Sequence, residues 1–327
     1  MSGDVAGSGG SSSALLVRRA VPGRARTIDR ASRALLLGAA GVSIVIVLLV
    51  VIFITVRAWP VVSQIGLGSF FLSTVWEPDS GIAFGGTVAH FGALTPILGS
   101  VVAVGLALLL AVPIAVAVAV VLAETDRNLG ERILRPAIEV FVGIPSVVYG
   151  YVGFVVLLPI LARIAPAGDN GSGYLAAGVV LAIMIIPTIA TLSADALITQ
   201  PAALREGSYA LGATEWQTIN RVVLPAARGG IISGVVLGLA RAMGEALAVA
   251  LVIGDVQRLP DFLHQGFQAF VQPGTTMTVT ITDGVNNLAI NPQGTAARYM
   301  LALVLLVVVF ISISVVRLVN RRGRVVV

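Results

Sequence analysis

The chain has 327 residues, 57% of them hydrophobic and 11% charged, with a formal net charge of +5 and a mean hydropathy of +0.98. A soluble domain of that apolarity would lack a polar shell, so the composition points to an integral membrane protein. The absence of cysteine excludes disulfides and thiolate metal sites, the distant His90 and His264 suggest no metal cluster, and arginines that flank apolar runs read as membrane-flanking charge, not as a nucleic-acid surface.

Residues 1–33 are Gly/Ser-rich and then arginine-rich (Arg18, Arg19, Arg24, Arg26, Arg30, Arg33), and are expected to form a flexible tail. The apolar run 34–57 is too long for a signal-peptide core and lacks an A-x-A-like exit, so it reads as a retained first span. Five further runs reach the ~20 apolar residues that a helix needs to cross a bilayer. They are 95–121, 138–163, 174–198, 229–254 and 299–319. The fold class is therefore an all-α integral membrane protein of six transmembrane helices. Residues 34–94 form the first span and its following loop, 95–319 the core, and 320–327 a C-terminal tail.

Six spans place both termini on one side. With that side cytoplasmic, inside segments hold the six tail arginines and Arg127, Arg132, Arg135, Arg205, Arg221, Arg228, Arg317, Arg321, Arg322 and Arg324. Outside segments hold only Arg57, Arg163, Arg258 and Arg298, which is the asymmetry that the positive-inside rule requires. Two outside segments are long. Residues 58–94 carry Phe70, Phe71, Trp76 and Pro78, and residues 255–298 carry Pro260, Phe262, Phe267, Phe270, Pro273 and Pro292. Loops of that length either carry function or are slack connectors. Within the second, FQAFVQ between Gly266 and Pro273 suggests a short interfacial helix. Pro113, Pro145, Pro159 and Pro187 fall in spans, which predicts kinks.

The fifth span holds two charges of opposite sign, Arg241 and Glu245, four residues apart and so on one helix face. Either charge at mid-membrane costs about 2.5–3.5 kcal/mol. Gly230, Gly234 and Gly238 precede them on the same stripe and Ala248 follows, so that face meets protein or a narrow cavity and not lipid. A guanidinium offers a planar fork of donors to an oxyanion, which suggests an anion pathway with Glu245 orienting Arg241. A structural ion pair locking the helix to its neighbours is the alternative.

Residues 199–228 lie between the fourth and fifth spans. Glu206–Asn220 mixes polar and apolar residues, includes Leu211 and Trp216, and reads as helix, turn at Gly212 and second helix ended by Leu224-Pro225. Such a piece suits a groove on a soluble partner. All 21 basic residues are arginine, and the phosphate-binding loop G-x-x-x-x-G-K-[ST] requires a lysine, so any ATPase driving this chain is a separate polypeptide.

Glu206, Gly212 and Leu224-Pro225 have the spacing of the E-A-A-x-x-x-G-x(9)-I-x-L-P motif, and the chain resembles the importer-type ABC permeases that carry it. Gly207, Ser208 and Val222 are the departures from that motif. The resemblance assigns Glu206, Ala210, Gly212, Leu224 and Pro225 to coupling with an ATPase. FGALTPILGS (91–100), IEVFVGIPSVVYGYVG (138–153) and LARAMGEALAVALVIG (239–254) resemble the phosphate-specific permeases, the PstC type more than its PstA-type sibling.

What the resemblance implies is a type I ABC importer (MetI-like) permease fold in a bacterial plasma membrane. It further implies a PstA-like second permease, two PstB-like ATP-binding subunits that bind ATP and Mg, and an extracytoplasmic PstS-like phosphate-binding protein. Arg241 and Glu245 match residues linked to phosphate passage in that family, with no cofactor on the permease itself. A permease for sulfate or molybdate stays open. So, on weaker grounds, do an ion-coupled secondary transporter, for which no internal repeat is visible, and a membrane-embedded enzyme, which would lack its usual catalytic groups.

Overall fold

The computed structural model describes residues 23–77, 90–124, 130–165, 170–262, 264–284 and 292–322. The chain divides into two units, residues 1–52 and 53–327. Helix α1 (Gly23–Pro60) begins well before the expected end of the tail, so residues 23–33 are helical, whereas the tail expected over 1–22 lies outside the described residues. That stretch contains no proline after Pro22, and most of its residues are arginine or alanine, both good helix formers, so the apolar helix propagates backward through it. In the first unit, Leu35, Ile44, Val47 and Leu49 are all exposed, as befits a helix that is apolar all round.

In the second unit, α1 runs on through a π turn at Val61–Ile65 and stops at Gly66, whose φ of +84° no β-carbon-bearing residue adopts easily. Helix α2 (Leu67–Leu72) and a short antiparallel pair, β1 (Trp76–Glu77) with β2 (His90–Phe91), follow. Phe70, Trp76 and Phe91 are buried, so the described part of this outside segment is anchored and not slack. Pro78 lies outside the described residues.

Two uninterrupted helices form the centre. Helix α3 (Leu94–Glu124) buries Ala103, Ala107, Ala111, Ala115 and Ala119, a ridge of small residues at four-residue spacing. It packs on α7 (Tyr174–Ile198), the most deeply buried span. Where they meet, a β-carbon on Gly178 would lie 2.8 Å from Leu106 Cβ, so the close approach depends on the missing side chain. Pro113 and Pro187 sit inside these helices without ending them.

The third span is broken. A π turn at Gly130–Leu134 leads into α4 (Arg135–Gly143), then α5 (Ser146–Val152), a π turn at Gly153–Leu157 and α6 (Leu158–Leu161). The halves Arg132–Gly143 and Ser146–Leu161 are bent by 94°. Pro145 is the cause: Ile144 before it is extended, with ψ at 129°. The Tyr149 hydroxyl donates to the Phe141 carbonyl at 2.6 Å, which ties the two halves together across the bend.

After α7 come α8 (Ala202–Ala210), α9 (Glu215–Thr218), a π turn at Ile219–Val223, α10 (Leu224–Gly244) and α11 (Leu247–Ile253). Leu224-Pro225 does not end the second helix as expected. The helix runs unbroken from Glu215 to Gly244, because the π turn directly before Pro225 takes up the hydrogen bond that the ring would break. Helix α14 (Pro292–Arg322) closes the chain, so the expected tail is helical to Arg322, and residues 323–327 lie outside the described set. Among the described residues five helices are long and apolar enough to cross a membrane, or six when the bent pair is counted as one span.

The described part of the second long segment, 255–298, is not a loose connector. Val256 N–H donates to the Gly274 carbonyl at 3.0 Å and Gly274 N–H to the Ile253 carbonyl at 3.1 Å, which closes the loop at its base. FQAFVQ holds a single turn, α12 (Gln268–Val271), with Ala269 and Val271 buried against protein. The chain then folds inward as Thr275 and Thr276 and α13 (Met277–Asp283), whose Met277, Thr278, Val279 and Thr280 are all buried.

Candidate functional site: a broken helix and an exposed hairpin

The glycine stripe of α10 faces α7. A β-carbon on Gly230 would lie 2.3 Å from Ala196 Cβ, one on Gly234 3.2 Å from Leu192 Cβ, and one on Gly238 2.7 Å from Ile189 Cγ1. One turn further on, Arg241 Nη1 donates to Thr188 Oγ1 of α7 at 3.0 Å. The guanidinium therefore sits between α10 and α7, and is only half-buried.

Glu245 is not on the same helix face as Arg241. Helix α10 stops at Gly244, and Glu245 is extended, with φ −80° and ψ 123°. Its carboxylate turns forward and accepts from Ala248 N–H at 3.1 Å, capping the start of α11. Among the described residues the salt bridges join Arg135 to Asp195, Arg205 to Glu124, and His264 to Asp261, with none between Arg241 and Glu245. The expected pairing fails because the helix breaks between the two charges. The stripe also changes partner there: Ala248 faces α5, where a β-carbon on Gly150 would lie 2.7 Å from Ala248 Cα.

Residues that the sequence did not single out hold this break. Thr278 Oγ1 donates to the Glu245 carbonyl at 2.8 Å, and Ser100 Oγ of α3 accepts from Met277 N–H at 2.8 Å. Ser100, Glu245, Thr276 and Thr278, with Leu181 and Val249, line a small crevice of about 10 Å³. The available signal was the threonine run 275–282, out of place in a slack loop. At the base of that segment Asp255 takes a left-handed φ of 44°, and its carboxylate accepts from Thr275 Oγ1 at 3.1 Å. Burial pushes its pKa up, against the Thr275 hydrogen bond, with Asp283 adding to the rise.

The hairpin α8–α9 is the second feature. Gly212 has φ +78° and makes the turn; Thr214 and Gln217 form a reciprocal capping box at the start of α9. Ser208 and Thr218 hydroxyls hydrogen-bond at 2.9 Å in the buried seam. Outside the seam, Leu211 is 91% exposed, Trp216 64% and Tyr209 46%. Glu206 and Ala210 are exposed too, whereas Leu224 and Pro225 lie in the helix behind. An apolar patch on a rigid polar hairpin is the form of a docking site. The structure thus places the two groups of expected site residues apart, linked through α10.

Residues 111–325 match the family described as binding-protein-dependent transport system inner membrane component. This chain belongs to that family. A relative from Bacillus subtilis, the probable ABC transporter permease protein YqgH, is 40% identical over 78% of both chains. The phosphate transport system permease protein PstC of Xylella fastidiosa is 35% identical, covering 76% of this chain and 78% of its own. A solved bacterial alginate ABC transporter has the same fold, with a TM-score of 0.57 at 17% identity, covering 89% of this chain and 97% of that one. The protein is thus a multi-pass membrane transport subunit of a family that works with a further permease, an ATPase and a binding protein.

Proposed function

We propose that this chain is the PstC-type half of the translocation pathway of an ATP-driven inorganic phosphate importer in a bacterial plasma membrane. The observation that carries the motor-driven reading is the hairpin: Tyr209, Leu211 and Trp216 are presented on a pinned, turn-defined support between two spans. A protein that only sat in a bilayer would have no use for that patch outside the membrane. The substrate reading rests on relatives named for phosphate transport and on a single cationic fork held between two spans. Its partners are a PstA-like permease, PstB-like subunits that bind ATP and Mg, and a PstS-like binding protein. The arginine asymmetry supports termini and hairpin on the cytoplasmic side, with residues 58–94 and 255–298 outside.

In this reading Arg241 replaces part of the phosphate hydration shell, and Thr188 holds the fork ready. One arginine, with the Glu245 carboxylate a turn away, suits passage: a transported ion must bind weakly enough to leave. Glu206, Ala210, Gly212, Leu224 and Pro225 serve coupling, and Gly230, Gly234 and Gly238 serve helix packing. The test is labelled-phosphate uptake in cells lacking their own phosphate permease, comparing wild type with Arg241→Ala at matched membrane levels. Uptake by wild type alone is expected. Uptake of sulfate or molybdate in place of phosphate would overturn the substrate, and full uptake by Arg241→Ala would overturn the site.

A further inference from the structure

The hairpin is tied to the core by more than its two chain ends. Arg205 on α8 reaches two central helices at once. Its Nε donates to Glu124 Oε2 at 3.1 Å and its Nη2 to Glu124 Oε1, a two-pronged fork onto the last residue of α3. Nη2 also donates to the Leu197 carbonyl at 3.0 Å, in the last turn of α7, and Nη1 to the Gln200 carbonyl at 3.3 Å, in the link just after it. The two side chains are only 21% and 10% exposed, so these charge-assisted bonds are shielded from bulk water. Arg135 and Asp195 differ on every count: 3.6 Å apart, both about half exposed, and a contact of the kind that contributes little.

The placement is telling. A carboxylate at a helix C-terminus opposes the helix dipole, so Glu124 is disfavoured where it stands unless a cation meets it. A guanidinium beside the terminal carbonyls of α7 is favoured on the same ground. One arginine thus satisfies both helix ends. The buried Ser208–Thr218 bond and the Thr214–Gln217 box hold α8 and α9 together. A push on Leu211 and Trp216 would then reach α3 and α7 through a four-bond side chain, and not only through the short link Thr199–Pro201.

We infer that Arg205 is a positioning residue that transmits movement of the docked hairpin to α3 and α7. Thr188, which holds Arg241, lies on that same α7. The inference rests on the motor-docking reading of the hairpin given above. It predicts a loss of coupling and not of assembly.

The experiment uses the complete complex in proteoliposomes, with its ATPase and phosphate-loaded binding protein, and reads phosphate imported per ATP hydrolysed. Arg205→Gln is expected to assemble and hydrolyse ATP while that ratio falls roughly tenfold, inside the ~5–150-fold range of couplings between sites. Arg205→Lys keeps the charge but cannot fork onto Glu124 and both carbonyls, and should fall between. If Arg205→Gln does not assemble, Glu124→Gln, which spares the carbonyl bonds, carries the test. An unchanged ratio in a variant that assembles would overturn the clamp while leaving the proposed function intact. A wild-type complex whose hydrolysis the loaded binding protein does not raise would overturn the proposed function, and the clamp with it.

Discussion

The partner of Arg241 can be settled by a double-mutant cycle. The structure gives Arg241 one hydrogen bond, to Thr188 at 3.0 Å, and no ion pair with Glu245. A hydrogen bond to a charged group is worth about 1.5–3 kcal/mol in general, and interhelical bonds in membranes run lower, so about 1–2 kcal/mol is the coupling expected here. The perturbations are Arg241→Met, Thr188→Val, Glu245→Gln, and the doubles of Arg241→Met with each of the others. Denaturant titration of the purified complex gives the coupling energies, and phosphate uptake is followed in parallel. Arg241 and Thr188 should couple by that amount. Arg241 and Glu245 should be additive within about 0.5 kcal/mol, as for residues that share no contact. Breaking a buried ion pair would instead cost about 3–5 kcal/mol. Strong Arg241–Glu245 coupling beside additive Arg241 and Thr188 would refute the reasoning, since the helix would then have to continue through Glu245.

Three further outcomes are expected. Gly230→Ala places a methyl 2.3 Å from Ala196 Cβ, which cannot rotate away, so α7 and α10 must part, at an overpacking cost of about 1–3 kcal/mol. Gly244→Ala meets open space and should be neutral or slightly stabilising; equal melting temperatures for the two variants would count against the packed stripe. At Gly212 a β-carbon is likewise free of contacts, so only its φ of +78° matters. Gly212→Val should therefore cost roughly 1–2 kcal/mol and lower binding-protein-stimulated ATP hydrolysis, while Gly212→Asn should cost less; identical rates would remove the backbone argument. Asp255 has a folded-state pKa above its ordinary value, so its contribution is favourable below the usual carboxylate range and is lost as pH rises through the raised pKa. Asp255→Asn should accordingly stabilise the complex near pH 7 and converge with wild type in acid, as melting temperatures at both pH values will show.

Six spans and the arginine asymmetry are legible in the sequence because both follow from bilayer thickness and membrane charge, which act on each segment alone. The hairpin was legible through the spacing of Glu206, Gly212 and Leu224-Pro225. The misreadings are all tertiary. Arg241 and Glu245 looked like one helix face because their spacing is right for a helix; the break at Glu245 has no proline to announce it, and its hydrogen bond to Thr278 comes from residues 33 positions away. Residues 275–280 looked like part of a connector because threonines lower the apolarity of a run that is in fact buried. Arg205 looked like one more cytoplasmic charge, since its carboxylate partner lies 81 residues back.

The two broken spans explain why Arg241 stands without an ion pair to Glu245. Helix α5 follows the bend at Pro145, α11 follows the break at Glu245, and they pack on each other at Gly150 and Ala248 with no side chain between them. The halves beyond the breaks thus form one pair, while α3, α7 and α10 are continuous and bound by the alanine ridge and the glycine stripe. Arg241 stands on the last turn before the break, held from the continuous side by Thr188, and Glu245 is held on the other side by the α11 start. If the α5–α11 pair rotates against the continuous helices, the distance between the two charges changes without either losing its own anchor. A same-helix pair could not do this, because the i,i+4 separation is fixed by the helix itself. The break therefore leaves the two charges separately anchored, Arg241 on α7 and Glu245 on the start of α11, in place of a static same-helix pair.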